Sequence, residues 1–147
     1  MKTLTENITN HAFFHGMTSE HLALLTRGAK VNEFKAGDVL FREGQPASQI
    51  FLIQSGKIGL QAHGAANGVP VQDLTAGEVL GWSWLFPPFT WHFQARAIEP
   101  TTVIVLDGAH LLVTAESNHD FGYELMKRVA QVVIRRLQTT RQQQLIA

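Results

Sequence analysis

The stretch from Gly77 to Ala97 contains the residues with the clearest capacity to bind a ligand. All three tryptophans of the chain lie within it. Small residues such as Gly77, Gly81 and Ser83 let a ligand approach backbone N–H groups, and a short helix starting here would direct its positive end at an anion. We therefore predict a ligand site formed by small, acidic, apolar and aromatic members of this stretch: Gly77, Glu78, Val79, Gly81, Ser83, Trp91 and His92.

The same tryptophans support a second interpretation, in which the protein fills its own site. Aromatic side chains of this size each bury a large apolar area. Crowded beside Pro87 and Pro88, they suit a compact, irregular insert that plugs the end of a barrel. Taken alone, Trp82, Trp84 and Trp91 favour such a plug over an open pocket.

Other kinds of chemistry have less support in the sequence. The chain has no cysteine, which excludes disulfides, thiol catalysis and thiolate metal sites. His11 and His15 would share one face of a helix, but no third ligand is near in sequence, so we interpret them as exposed polar residues beside Phe13 and Phe14. No motif places a nucleophile beside a base or pairs two carboxylates. We therefore predict no catalytic residue, no metal site and no enzymatic activity.

Length and charge define the broad class of protein. A chain of 147 residues with 45% hydrophobic and 16% charged residues suits one folded domain. Residues 121–147 contain five basic residues and one acidic residue, a net charge of +4, so the remainder carries −4 in a chain of zero net charge. A solvated helix face is the simpler interpretation of this basic segment. Without a signal peptide or an apolar membrane span, we expect a cytoplasmic protein with no membrane partner.

The elements that must position the ligand stretch follow from the hydrophobic pattern. Between residues 30 and 107 the pattern has a period of two, with turn signals every eight to twelve residues, which is typical of a sandwich or barrel. Thr18 is predicted to cap a helix from Ser19 to about Gly28, and Asp107 to cap another over residues 109–117. The predicted organisation is a single domain with three parts: an N-terminal helical segment at about 10–29, a β-barrel at 30–107 and C-terminal helices at 108–147.

The last predicted helix, from Phe121 towards Ile146, has an apolar stripe that covers nearly half its circumference. That is wider than one packing surface usually requires. We therefore predict that one edge lies on the barrel and the other pairs with a second copy of the chain. Arg136 lies inside the stripe. One interpretation is that it reaches a carboxylate or a ligand at the barrel mouth, and the simpler one is that its stem packs while its head reaches solvent. The predicted dimerisation residues are Leu125, Val129, Val132, Val133 and Leu137.

The segment from Phe34 to Leu60 strongly resembles the first half of a cyclic nucleotide-binding domain, of the type found in catabolite-activator and fumarate-nitrate-regulator proteins. The resemblance depends on glycines at 37, 44 and 56 with apolar strands between them, and it extends from about Asn10 to about Leu137. It implies a mainly β fold with flanking helices: a double-stranded β-helix, or jelly roll, of eight strands with a long C-terminal helix. In the activator relatives that last helix usually dimerises.

The resemblance also implies a role in ligand binding for residues 77–97, which we call the cassette segment. The family's phosphate-binding cassette begins Gly-Glu, where the glutamate binds the ribose, and later contains an arginine that pairs with the cyclic phosphate. Gly77 and Glu78 match this beginning. Counting back from the end of the cassette puts Trp91 at the arginine position, and a shift of a residue or two puts Thr90 or Phe89 there; none of the three is basic. A lost charged hydrogen bond should weaken nucleotide binding at least about tenfold. His92 is the only candidate replacement cation within the insert.

Two functions follow from this resemblance. The first is a stand-alone regulatory, ligand-sensing module whose degenerate cassette binds cyclic AMP, cyclic GMP or another small molecule. The alternative is a self-plugged barrel that acts as a dimeric protein-interaction module or senses a different molecule. Haem sensing would require an axial ligand, for which His63, His92, His110 and His119 are candidates. Only ten residues follow Leu137, too few for a helix-turn-helix, so we expect no sequence-specific nucleic-acid binding.

Overall fold

The computed structural model describes residues 11–62, 69–81, 84–85 and 88–146, with the side chains of 62, 69–71 and 139–146 left out of the description. Within these described residues, eight strands and three α-helices follow a short 3-10 helix. In chain order the elements are the 3-10 helix Ala12–Phe14, α1 Ser19–Leu25, β1 Lys30–Phe34, β2 Val39–Phe41, β3 Gln49–Ser55, β4 Lys57–Ala62, β5 Val69–Thr75, β6 Val79–Leu80, β7 Gln94–Ala97, β8 Thr101–Asp107, α2 Gly108–Ser117 and α3 His119–Ile146.

The strands form two four-stranded antiparallel sheets. One sheet has the order β1-β8-β3-β6 and the other β2-β7-β4-β5. Neighbours in each sheet are mostly far apart in sequence, as in the pairing of Phe51 on β3 with Val105 on β8. This arrangement confirms the predicted mainly β, jelly-roll fold with flanking helices and a long C-terminal helix.

The structure differs from the prediction at the end of α1, at the start of α3, which is His119 rather than Phe121, and in the additional strand β6. The first α-helix ends at Leu25 rather than near Gly28: Thr26 is its C-cap, and the chain then turns with a hydrogen bond from the Ala29 N–H to the Thr26 carbonyl at 2.9 Å. The two-residue strand β6 was hidden inside the cassette segment, which the sequence predicted to be irregular. The predicted caps Thr18 and Asp107 both accept a backbone N–H from the first turn of their helices.

Alternating apolar residues give the β1-β8-β3-β6 sheet two buried faces. On β8, Val103 and Val105 point between the two sheets, whereas Ile104 and Leu106 point towards the helices. We call the first cluster the inner core and the second the helix-side core. The molecule therefore has three layers, which are the helices, one sheet and the second sheet, and the inner core lies between the two sheets.

The segment before α1 is fixed by a buried histidine, contrary to the prediction that His11 is exposed. Its Nδ1 accepts the N–H of Phe13 at 3.1 Å, and its Nε2 lies 3.1 Å from the carbonyl oxygen of Ile53. This pattern requires a neutral ring that carries its proton on Nε2. Burial lowers the pKa of His11 from its ordinary value of 6.5, against the raising effect of backbone hydrogen bonds to Ile53 and Glu78.

The buried imidazole predicts a loss of stability in weak acid. Above about pH 6.5 the ring is neutral in both states, and its contribution is complete. Below that pH the unfolded chain binds a proton that the folded chain resists, so the free energy of unfolding falls until the pH reaches the depressed pKa. Urea unfolding at about pH 7.5 and 5.5 should show this slope, and His11→Gln should reduce it. An unchanged slope in the variant would refute the assignment.

Candidate functional site

The first two residues of the cassette segment form a turn between β5 and β6. The Glu78 carboxylate accepts the N–H of Thr75 at 2.6 Å, and the Glu78 N–H donates to the Thr75 carbonyl at 3.1 Å. The Gly77 N–H donates to the carbonyl of Ile53 at 2.9 Å. Both Gly77 and Glu78 are exposed. In this structure the glutamate closes a turn, which is a structural use of the residue predicted to meet a ribose.

The two side chains of strand β6 pack in different cores. Val79 packs in the helix-side core and Leu80 in the inner core. The side chain of Val79 is therefore buried among core residues, whereas its carbonyl oxygen remains available as a polar group of the site. That oxygen accepts a hydrogen bond from Arg136 on α3.

Gly81 is needed for a close approach, and the group that approaches is an aromatic ring of the protein itself. A Cβ at this position would lie 2.9 Å from the Trp91 ring and 3.2 Å from the carbonyl oxygen of Gln49, and φ is +109°. The indole N–H of Trp84 donates to the Gly81 carbonyl at 3.1 Å. The small residue predicted to admit a ligand therefore accommodates Trp91 and binds Trp84.

Trp91 fills the space between the two sheets. Its ring stacks on Phe41 with a centroid distance of 3.8 Å and an angle of 12°, and lies 6.1 Å from the ring of Phe51. The backbone holds it there, since Trp91 exchanges hydrogen bonds with Gln45 and Gly44 at 3.0 and 2.8 Å. Only 6% of the residue is exposed.

The predicted plug of three tryptophans is only partly correct. Trp84 lies in the helix-side core, where its ring contacts the backbone of Gly108 at the start of α2. It therefore does not occupy the space between the sheets. Trp82 and Ser83 lie outside the described residues. Of the two described tryptophans, Trp91 alone belongs to the inner core.

An opening of about 390 Å³ borders Gly77 together with His11, His15 and Ile53, and two small openings also lie beside the cassette segment. One has a volume of about 30 Å³ and is lined by residues including Phe41, Leu60, Trp91, His92, Phe93 and Arg136. The other has a volume of about 50 Å³ and is lined by residues including Gln72, Gly77, Glu78, Val79, Arg135 and Arg136. Pockets for small molecules usually measure about 300 to 1,000 Å³. The two small openings therefore have room for a few water molecules and not for a nucleotide.

A cation from α3 reaches the backbone of the cassette segment. Arg136 is half-buried and its Nη2 donates to the carbonyl of Val79 at 2.7 Å. Burial lowers the pKa of Arg136, and the negative charge of Glu78 opposes that shift. The sequence interpretation that this head reaches solvent is wrong. The sequence signal for this contact was the presence of a charged residue inside an apolar helix stripe. His92 and Arg96 are exposed.

This fold and this cassette segment are shared with a known family. The family model described as "Cyclic nucleotide-binding domain" matches residues 31–118. The chain belongs to the cyclic nucleotide-binding domain family. This chain is similar to a protein from Geobacter metallireducens that is described as cyclic nucleotide-binding and has a crystal structure. The two sequences are 29% identical and the TM-score is 0.81, and the match covers 92% of this chain and 99% of that chain.

Two further solved structures extend the comparison. A cyclic nucleotide-binding-like protein from Brucella abortus is 31% identical with a TM-score of 0.59, and the match covers 72% of this chain and 91% of that chain. The N-terminal domain of a transcriptional regulator from Streptomyces coelicolor is 21% identical, which shows the fold alone, with a TM-score of 0.68 and 94% of each chain covered. A search of curated proteins found no match.

In this cyclic nucleotide-binding domain the residues predicted for dimerisation separate into two groups. Leu125 and Val129 are 0% and 5% exposed and pack in the helix-side core of their own chain, so they have no surface to offer a second copy. Val132 is half-buried against the same core. Val133 and Leu137 are 37% and 60% exposed, on the side of α3 that points away from the barrel.

The remaining ligand classes find little support in the described part of the domain. Within it, no group of three or more His, Asp or Glu side chains could hold a metal ion. Both ring nitrogens of His11 are already bonded to the chain. Of the haem candidates, His92 and His119 are exposed, His110 lies on α2 beside Thr114, and His63 lies outside the described residues. Among the described residues, no helix is both long and apolar enough to cross a bilayer.

Proposed function

We propose that this cyclic nucleotide-binding domain is a non-enzymatic regulatory module with a degenerate cassette, which senses a small molecule other than a cyclic nucleotide. The observation that carries the proposal is the stack of Trp91 on Phe41 at 3.8 Å. Counting along the sequence assigns Trp91 to the position of the family's arginine, and its ring packs in the inner core. A tryptophan at this position therefore lacks the charge that would pair with the cyclic phosphate, and its ring takes up space that the nucleotide base would need.

The energetics support this conclusion. A hydrogen bond to a charged group contributes about 1.5 to 3 kcal/mol, which a nucleotide would lose with the arginine. Displacing Trp91 would also expose a buried ring and break its contact with Phe41, an aromatic pair that contributes about 0.5 to 1.5 kcal/mol beyond its buried area. Both costs oppose binding of cyclic AMP or cyclic GMP, the ligands that the family suggests.

Calorimetric titration of the folded protein with cyclic AMP and cyclic GMP tests the proposal. We expect no saturable heat at millimolar nucleotide. Circular dichroism on the same sample would establish that the protein is folded. Saturable binding at micromolar nucleotide would overturn the proposal and would require the cassette segment to supply a cation and to open.

The proposed site comprises the cassette residues predicted from the sequence, with roles adjusted to their positions. Gly77 and Glu78 form its outer turn, Val79 contributes a carbonyl, and Gly81 and Trp91 form its inner wall. His92 stands at the opening, and Ser83 remains part of the proposal although it lies outside the described residues. These assignments rest on the lining of the two small openings beside the segment.

We also propose that α3 joins two copies of the chain through its exposed apolar residues. Val133, Ile134 and Leu137 are 37%, 53% and 60% exposed and lie within about one helical turn of each other. Truncating residues 121–147 would be a poor test, because it would remove Phe121 and Leu125 from the core.

Charging this patch is a sharper test of the dimer. Ile134→Glu with Leu137→Glu should convert a dimer into a monomer in sedimentation velocity, because two charges would be buried without partners. Val113→Glu, equally exposed on α2, is the matched control and should leave the dimer intact. A monomeric wild-type protein, or a dimeric double variant, would contradict the assignment. A protein partner, a cytoplasmic location and the absence of nucleic-acid and membrane partners stay predictions.

A further inference from the structure

The C-terminal helix brings a guanidinium to the backbone of the cassette segment. Arg136 and Val79 are 57 residues apart in sequence, yet the Nη2 of the arginine donates to the valine carbonyl at 2.7 Å. Arg136 also lines both small openings beside the segment, the apolar one next to Trp91 and the polar one next to Gly77. It is thus the cation that the two openings share.

The surroundings of Arg136 favour an anion. The guanidinium is half-buried, and the pKa-lowering effect of this burial outweighs the raising effect of Glu78. Glu78 is exposed, and its carboxylate accepts the Thr75 N–H at 2.6 Å. A partly desolvated cation gains more from an incoming oxyanion than an exposed one does, because charged hydrogen bonds strengthen as water is excluded.

The geometry of a guanidinium suits this second role. Its planar fork of five N–H donors can hold a backbone carbonyl and an oxyanion together, and it matches carboxylate and phosphate geometry. The second opening adds Arg135 beside Arg136, with the exposed Gly77 on the opposite wall. A Cβ built on Gly77 would meet nothing within 4 Å, so this wall is open.

We propose that Arg136 replaces the missing cassette arginine, and that the ligand of this domain carries a small oxyanion, a carboxylate or a phosphate, bound between the cassette backbone and α3. This inference rests on the proposed function, since it specifies the ligand class of the same site. The volumes of about 30 and 50 Å³ fit a charged group and not a whole nucleotide.

Inorganic phosphate and acetate are the probes for the test, and they separate the two oxyanion sources. Urea unfolding would be followed in each salt and in sodium chloride at equal ionic strength. We expect saturable stabilisation by phosphate or acetate beyond chloride, because a ligand that binds only the folded state raises its stability. In Arg136→Gln the apparent affinity should fall at least about tenfold.

Arg96→Gln is the matched control, because it removes the same charge from an exposed position on β7. It should bind both probes as the wild type does. If Arg136→Gln does not fold, the Nε–H resonance of Arg136 in the wild-type protein provides the second readout, and it should shift with added probe while that of Arg96 does not. A wild type that responds no more to either oxyanion than to chloride, or a response that survives Arg136→Gln, would overturn the inference.

These results are separable from those of the nucleotide titration. Cyclic AMP binding that depends on Arg136 would overturn the proposed function and retain the arginine's role. If nucleotides do not bind and the stabilisation by oxyanions is unchanged in Arg136→Gln, the proposed function stands and this inference is overturned.

Discussion

Trp91→Ala is expected to lower the free energy of unfolding by about 3 to 5 kcal/mol, the usual loss when a large aromatic side chain is removed from a core. The ring is 6% exposed, and its removal would break the stack on Phe41 and empty the space beside Gly81. Small domains have about 5 to 15 kcal/mol of stability, so the variant should be close to unfolding. Equilibrium urea unfolding would measure the loss.

Indole added to the Trp91→Ala protein should recover part of this stability, because it fits the vacated volume and binds only the folded state. Trp91→Phe should lose less, since a phenyl ring can still stack on Phe41. His92→Ala, at the adjacent exposed position, is the control and should change stability by no more than about 0.5 kcal/mol. A loss below about 1 kcal/mol in Trp91→Ala would contradict the filled inner core.

Arg128→Gln should produce the second large effect, a loss of about 2 to 3 kcal/mol. The side chain is 13% exposed. Its guanidinium donates to the carbonyl of Phe13 and, at 2.9 Å, to that of His15, and it lies 2.8 Å from the Glu124 carboxylate. It thereby connects the 3-10 helix to α3 across more than a hundred residues of sequence, and glutamine cannot reproduce this forked geometry.

Lys127→Gln is the matched control for Arg128→Gln. Lys127 pairs with the same Glu124 at 3.6 Å but is 54% exposed. Exposed ion pairs contribute about 0 to 1 kcal/mol, so this variant should unfold almost as the wild type does. Similar losses in the two variants would contradict the assigned role of Arg128, because they would show that only the pairing with Glu124 matters.

The fold was predictable because its signals are local. On β3 and β8 an apolar run with a period of two describes a strand whatever lies beside it, and Thr18 and Asp107 are side chains that can cap a helix from their own position. The glycines at 37, 44 and 56 all adopt positive φ, which is the property that made their spacing recognisable. Strand β6 was not predicted, because two residues are too few to show a hydrophobic period.

The site was less predictable because it depends on which residues meet in three dimensions. Gly81 was correctly singled out as a point of close approach, but the sequence could not say that Trp91 would be the approaching group. Trp84 and Trp91 have the same chemistry seven positions apart, yet they enter different cores. His11 was predicted to be exposed, because its partner at Ile53 lies 42 residues away.

The assignment of α3 shows how an apolar stripe can mislead. Leu125 and Val133 belong to one predicted surface, but the width of the barrel decides where burial ends and exposure begins. The charge at Arg136 was the one anomaly in that stripe. Its partner, the carbonyl of Val79, is a backbone group and therefore leaves no mark in the sequence.

The most direct test of the central claim is to measure nuclear Overhauser effects from the Trp91 indole protons in the presence and absence of cyclic AMP. We expect contacts to the rings of Phe41 and Phe51 in the free protein, as their centroid distances of 3.8 and 6.1 Å require, and the same contacts at millimolar nucleotide. Loss of these contacts, with new ones between Phe41 and the adenine ring, would show that the cassette opens for a nucleotide and would contradict the account.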